Sequence, residues 1–213
     1  MKLRLSGYFL VAGLFLIASA LTPEECQSVL TPLSLDDRST MYGRWNFIVG
    51  YTDHDVFNSI LKITESSWMN ISTSSSPNED VVTQEEKMNG TCVATSVTVA
   101  VDGKAASTTF ANLTSEFHVL PSCDGCLVMS INCTTKNLDK FLQALKIDSN
   151  PTGDEISVRA LYLWSRESTL KDSDLEHFKQ QASCLGFSRD PDFLYDTKND
   201  FCAEGEGVKV SLK

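Results

Sequence analysis

The stretch Ser39–Asp53, STMYGRWNFIVGYTD, sets a Gly43-x-Trp45 triplet at the entrance of a strand-like run. Such a triplet alone is common; its position gives it weight. It opens a series of short β-type runs that ends at Arg166. Between Arg44 and Arg166 these runs read RWNFIVGY, SILKITESSWMNIS, DVVTQEEKM, TCVATSVTVAV, ASTTFANLT, EFHVL, CLVMSINC and EISVRALYLWS. The separators SSSPNED, NG, DGK and PSCDG supply turn chemistry at hairpin distances. About eight strands of this kind predict an all-β antiparallel sandwich or barrel. The segment 134–154, TTKNLDKFLQALKIDSNPTGD, interrupts the rhythm and reads as a loop with a helical turn.

One helix is predicted after the strands. Ser173-x-x-Glu176 has the form of a capping box. Leu175, Phe178, Ala182 and Leu185 share one face, and Gly186 is placed to end the helix in the left-handed conformation. Its amphipathic pattern suits packing on the outside of the sheet.

At the other end, Lys2 and Arg4 precede the apolar run YFLVAGLFLIASA, which closes on Ala18-Ser19-Ala20. This reads as a secretory signal peptide, residues 1–20. The run falls short of the roughly 20 apolar residues of a membrane span. Residues 21–213 then form a single domain of 193 residues with a net charge of −12. That acidity argues against nucleic-acid and anionic-lipid partners. Asn70, Asn89, Asn112 and Asn132 each open an N-x-Ser/Thr glycosylation sequon, which fits a secreted, extracellular, monomeric glycoprotein.

Seven cysteines follow the signal, so one is left free or pairs between chains. Cys123-Asp-Gly-Cys126 has redox spacing, but Asp124-Gly125 lies between two strands. A turn-spanning disulfide is therefore expected, not a thiol poised at a helix N-terminus. His54, His118 and His177 are scattered without metal-ligand spacing, and no Gly-flanked serine nucleophile occurs. No enzyme activity, metal or cofactor is expected.

Eight antiparallel strands and one helix, behind a signal peptide and an N-terminal Gly-x-Trp, resemble a lipocalin. The resemblance implies an eight-stranded up-and-down barrel with its helix packed outside. It also implies a barrel base in which Arg166 lies across Trp45, with Gly43 allowing close approach. Cys26, Cys92, Cys184 and Cys202, with the tail CLGFSRDPDFLYDTKNDFC, are similar to the frame of the α1-acid glycoprotein group. That frame implies the pairs Cys26–Cys184 and Cys92–Cys202. Within the group the chain looks most like fish proteins that bind tributyltin and puffer-fish proteins that bind saxitoxin and tetrodotoxin. PSCDGC stands where many lipocalins carry a Thr-Asp-Tyr-type motif.

A barrel of eight strands can hold one small ligand. Glycans must face out, so sequon parity orients the strands. It turns Met69 and Ile71 inward, then Val82, Gln84, Glu86 and Met88, then Leu127, Met129, Ile131 and Cys133. An inward Trp45 brings Phe47 and Val49 with it, and a base-facing Arg166 brings Val158, Ala160, Tyr162 and Trp164. The strand Thr91–Val101 has no such marker. The expected ligand-binding residues are therefore Phe47, Val49, Met69, Ile71, Gln84, Glu86, Met129, Ile131, Cys133, Ala160 and Tyr162. Three functions fit: a carrier or scavenger of small hydrophobic or amphiphilic compounds, an immunomodulatory glycoprotein, or a barrel enzyme using Cys133. The carrier is preferred. Its expected ligands are an organotin such as tributyltin or, against Glu86, a guanidinium toxin.

Overall fold

The computed structural model describes residues 21–110, 112–136, 142 and 155–210. The predicted signal peptide and nearly all of the predicted loop with its helical turn lie outside these residues. A capped helix, α1 (Pro23–Leu30), precedes the barrel; Thr22 and Glu25 cap it reciprocally. The strands are β1 (Gly43–Thr52), β2 (Thr64–Thr73), β3 (Glu79–Met88), β4 (Thr91–Asp102), β5 (Ala105–Phe110), β6 (Leu113–Leu120), β7 (Cys126–Lys136) and β8 (Glu155–Ser165). Each pairs antiparallel with the next, and β8 returns to β1 to close the barrel. Asn89 and Gly90, at φ 47° and 72°, make the two-residue turn that sets Met88 opposite Thr91.

Two cores result. The inner one joins Trp45, Phe47, Met69, Ile131, Val158 and Trp164 inside the barrel. The outer one joins Ile48, Tyr51, Val128, Leu161 and Leu163 to Phe178 and Ala182 of the outside helix α3 (Asp172–Cys184). Alternate residues of β7 and β8 thus serve opposite cores, as a pleated strand dictates. Gly186, at φ 90°, ends α3, and the Phe187 N–H donates back to the Ala182 carbonyl at 2.9 Å. Among the described residues no helix is long and apolar enough to cross a membrane.

Three local expectations are corrected, and the tail adds one unannounced feature. Ser59–Ile63 is not strand but the end of a helix, α2 (Asp55–Ile63). His54 Nδ1 accepts from the Val56 N–H at 3.2 Å, and Phe57, Ile60 and Leu61 recur at helical spacing. Ser173 does not cap α3, because the helix already begins at Asp172 with Lys171 in the cap position and no side-chain cap bond. Val49 does not face the interior. Ile48 is an extra residue between the pairs Phe47–Trp164 and Val49–Leu163. This bulge turns Val49 into the outer core, fully buried, and brings Gly50 to the inner face instead. Finally, the C-terminal tail contributes two short strands that no local pattern announces: β9 (Phe193–Leu194) pairs antiparallel with β1, and β10 (Val208–Lys209) runs parallel to β4.

The tail is anchored covalently. Cys26 is bonded to Cys184, Cys92 to Cys202 and Cys123 to Cys126, and Cys133 is left as a buried free thiol. The first two bonds close loops of 158 and 110 residues, each worth roughly 4–5 kcal/mol in the chain-entropy account.

The inward glycine generates a test. A Cβ at Gly50 would lie 2.5 Å from Phe47 Cζ. Phe47 is stacked on Phe193 at 4.5 Å between ring centroids and packed on Trp164 at 4.8 Å, so its ring has little room to yield. Gly50→Ala is expected to destabilise the fold by roughly 1–3 kcal/mol, the range for overpacking a core. Urea denaturation measures this, and an unchanged midpoint would show that position 50 does not face the interior.

Candidate functional site: an apolar barrel cavity with an inward carboxylate

One end of the barrel is sealed. The Arg166 guanidinium carbon lies 3.6 Å from the Trp45 ring centroid. Its Nη1 donates to the Arg44 carbonyl at 2.7 Å, and its Nη2 to the carbonyls of Thr40 at 2.9 Å and Tyr42 at 2.7 Å. Trp45 Nε1 donates to the Met41 carbonyl at 2.7 Å. Gly43, at φ 97°, makes room, for a Cβ there would sit 3.2 Å from Arg166 Nη1. A second cation closes the floor nearby: Arg38 Nε meets Asp80 Oδ2 at 2.7 Å, and the Tyr42 hydroxyl donates to Asp80 Oδ1 at 3.2 Å.

Above this base the interior forms two adjoining lobes. The lower, about 180 Å³, is lined by Met69, Ile71, Val82, Met129 and the valines of lower β4. The upper, about 240 Å³, is lined by Phe47, Glu86, Cys133, Val158 and Ala160, with Phe57, Ile60 and Leu61 of α2. Gln84, Ile131 and Tyr162 face both lobes. Among the expected ligand-binding residues, Val49 alone is absent from the interior.

The polar groups of the upper lobe cluster. Gln84 Nε2 donates to Glu86 Oε1 at 2.7 Å and to Ser67 Oγ at 3.1 Å; Ser67 Oγ reaches Glu86 Oε1 at 3.5 Å. Glu86 forms no ion pair among the described residues. Enclosure in protein raises its pKa to about 6, against 4.5 ordinarily, although the two hydrogen bonds pull the other way. Cys133 Sγ lies 3.2 Å from Ser115 Oγ, and burial raises its thiol pKa. Burial first, then the charges of Cys133 and Glu86, raises the Tyr162 phenol.

Sequon geometry explains why the parity argument works, and where it works by accident. Asn132 is exposed on β7 and its neighbour Cys133 is buried inside. Asn70 is half-buried on the outer face of β2, beside an external groove. Asn89 lies in the hairpin turn and not in β3, so it carries no parity information, yet Val82, Gln84 and Glu86 do face in. Asn112, at φ 66°, is likewise an exposed turn residue. For β4 the signal was present and unused: Val93, Thr95, Val97, Val99 and Val101 occupy alternate positions, and all line the interior. The α2 residues at the upper lobe were missed because their segment was read as strand.

No protein-family model and no curated protein sequence matches this chain. Several solved structures resemble it. Siderocalin Ex-FABP aligns over 74% of this chain and 95% of its own, with TM-score 0.55 and 14% identity. Siderocalin Q83 aligns over 72% and 87%, with TM-score 0.52 and 16% identity. The bovine lipocalin allergen Bos d 2 aligns over 70% and 88%, with TM-score 0.50 and 18% identity. At such identities the similarity is one of fold, and the fold is that of the lipocalins.

The raised Glu86 pKa makes stability depend on pH with a definite sign. Folding disfavours the ionised carboxylate, so this contribution is fully present below pH 4.5 and is lost as pH rises through about 6. Glu86→Gln should remove this dependence, and the difference in stability between parent and variant should change by roughly 2 kcal/mol between pH 4 and pH 7.5. Denaturation midpoints across that range measure it. Parallel pH profiles for the two proteins would show that Glu86 is not enclosed.

Proposed function

We propose that this chain is a secreted carrier or scavenger of small hydrophobic or amphiphilic compounds, bound one at a time in the barrel. What supports it most is an apolar cavity inside the barrel into which Glu86 projects a carboxylate that forms no ion pair among the described residues. Burying a carboxylate without a countercharge is costly. A ligand with an ammonium or guanidinium head and an apolar body repays that cost, because the head meets Glu86 while the body displaces water from Val158, Ala160 and Ile131. A guanidinium toxin such as saxitoxin or tetrodotoxin would use the same carboxylate. The exposed Asn89, Asn112 and Asn132 support a glycosylated surface.

The free thiol supports a second ligand class at the same site. Cys133 lines the upper lobe among apolar side chains. An organotin such as tributyltin would place its soft tin centre on that sulfur and its butyl arms on the apolar lining, at about 0.8 kcal/mol per buried CH₂. Burial keeps the thiol protonated at neutral pH, so tin binding must displace a proton.

Calorimetric titration with an alkylguanidine and with tributyltin separates these contributions. Glu86→Gln is expected to weaken the alkylguanidine by roughly 10- to 100-fold, the worth of a hydrogen bond to a charged group, and to leave tributyltin nearly unaffected. Cys133→Ser is expected to do the reverse. In the parent, alkylguanidine affinity should fall as pH drops through about 6, where Glu86 takes up its proton. Failure of both compounds to saturate the protein would contradict the carrier reading. Equal losses in both variants would contradict the assignment of the two groups.

A further inference from the structure

The eight antiparallel strands leave a seam in the barrel wall. β4 pairs with β5 only where Ala100–Asp102 faces Ala105–Ser107. Just beyond, Thr108 Oγ1 donates to the Thr98 carbonyl at 2.8 Å. Towards Thr91 the two strands part, and β4 has no β5 partner there. The chain returns its own C-terminal segment to that free edge. Val208 lies opposite Val93 and Lys209 opposite Ala94, and the Val210 N–H donates to the Ala94 carbonyl at 3.0 Å. Val210 lines the upper lobe that holds Glu86 and Cys133. It also lines an outer groove of about 630 Å³ beside Trp68, Ser96 and Lys209. Thr95 and Phe110 likewise border both spaces. At this height the partition between interior and groove is made of Thr95, Phe110 and Val210.

The segment is held firmly up to Gly207 and thinly beyond. The Cys92–Cys202 bond ties it to β4. Glu85, pointing outward and buried, accepts the Gly205 N–H on Oε1 and the Gly207 N–H on Oε2, both at 2.9 Å. Gly207 sits so close to β4 that a Cβ would fall 2.7 Å from the Ala94 nitrogen, which excludes any other residue there. Among the described residues past that latch, 208–210, there is only a two-residue strand, and Val208 is 69% exposed. The contrast with β9 is direct: Phe193 is only 5% exposed and stacks on Phe47. An element with few buried apolar groups and a short ladder opens at low free energy.

We propose that the C-terminal strand is a hinged stave of the barrel wall. Released beyond Gly207, it opens a side portal between β4 and β5, leading from the outer groove into the upper lobe beside Cys133. Compounds then enter and leave through the wall of the barrel. This inference is independent of which ligand the cavity takes.

Cys133 provides a reporter that needs no ligand, since it is the cysteine outside the three disulfides and it lines the upper lobe. The experiment measures the rate of maleimide labelling at pH 8 by intact mass, with Cys133→Ser as the blank. It compares the full chain, a chain ended at Gly207 and Val210→Pro, which removes the N–H bonded to the Ala94 carbonyl. The shortened chain is expected to label about tenfold faster, as for removal of a gate, and Val210→Pro to fall between the two. The increase should not vary with urea below the unfolding transition, the signature of local opening. Equal rates in all three proteins would overturn the proposal, as would an increase that tracks global unfolding. If the shortened chain does not fold, Val210→Pro decides alone: faster labelling supports the portal and an unchanged rate refutes it.

Discussion

The barrel depends on a cation laid over an indole. Arg166, at the end of β8, covers Trp45, near the start of β1, and binds three backbone carbonyls of the segment leading into β1. The β1–β8 ladder closes the sheet into a barrel, and Arg166 gives that barrel a floor. Guanidinium suits this task because one planar group can stack on a ring and direct several N–H groups outward at once. The Arg38–Asp80 pair neutralises the carboxylate that lines the lower lobe. What remains above is mostly apolar, interrupted by the Gln84–Glu86–Ser67 cluster, by Ser115 and Cys133, and by Tyr162, Thr64, Thr95 and Thr108.

The unpaired carboxylate and the apolar lining are two halves of one chemical statement. An apolar pocket alone binds by burial and discriminates weakly. A buried charge alone destabilises the fold. Together they form a site that is least stable when empty and ionised, and most stable when a cation of complementary shape fills it. Asp80 has its arginine, whereas Glu86 has no cationic partner among the described residues, and this contrast is the basis for proposing that selectivity lies in the upper lobe.

Much of this was legible in the residues, and the failures have physical causes. The sequons of Asn70 and Asn132 gave the correct faces of β2 and β7, since an N-x-Ser/Thr asparagine that is to carry a sugar must face outward. The alternating valines of β4 held the same information without a marker to say which face was which. Val49 was misplaced because one extra residue, Ile48, reverses the parity of everything after it, and a bulge has no local signature beyond the inward Gly50. Ser59–Ile63 was misread because its isoleucines suit a strand as well as a helix, and the His54 cap lies outside the usual Ser, Thr, Asp and Asn set. The tail strands β9 and β10 were not legible at all. Each is two residues long, and each exists because distant strands leave an edge unpaired there.

Titration of Glu86 itself decides whether the cavity holds a carboxylate that a bound cation neutralises. Carbon-13 NMR of the side-chain carboxyl follows its protonation in the empty protein and after addition of an alkylguanidine. The carboxyl is expected to titrate near pH 6 in the empty protein and to shift clearly downward once the guanidinium is bound. Titration at the ordinary carboxylate value of 4.5, with no change on addition of the cation, would contradict it.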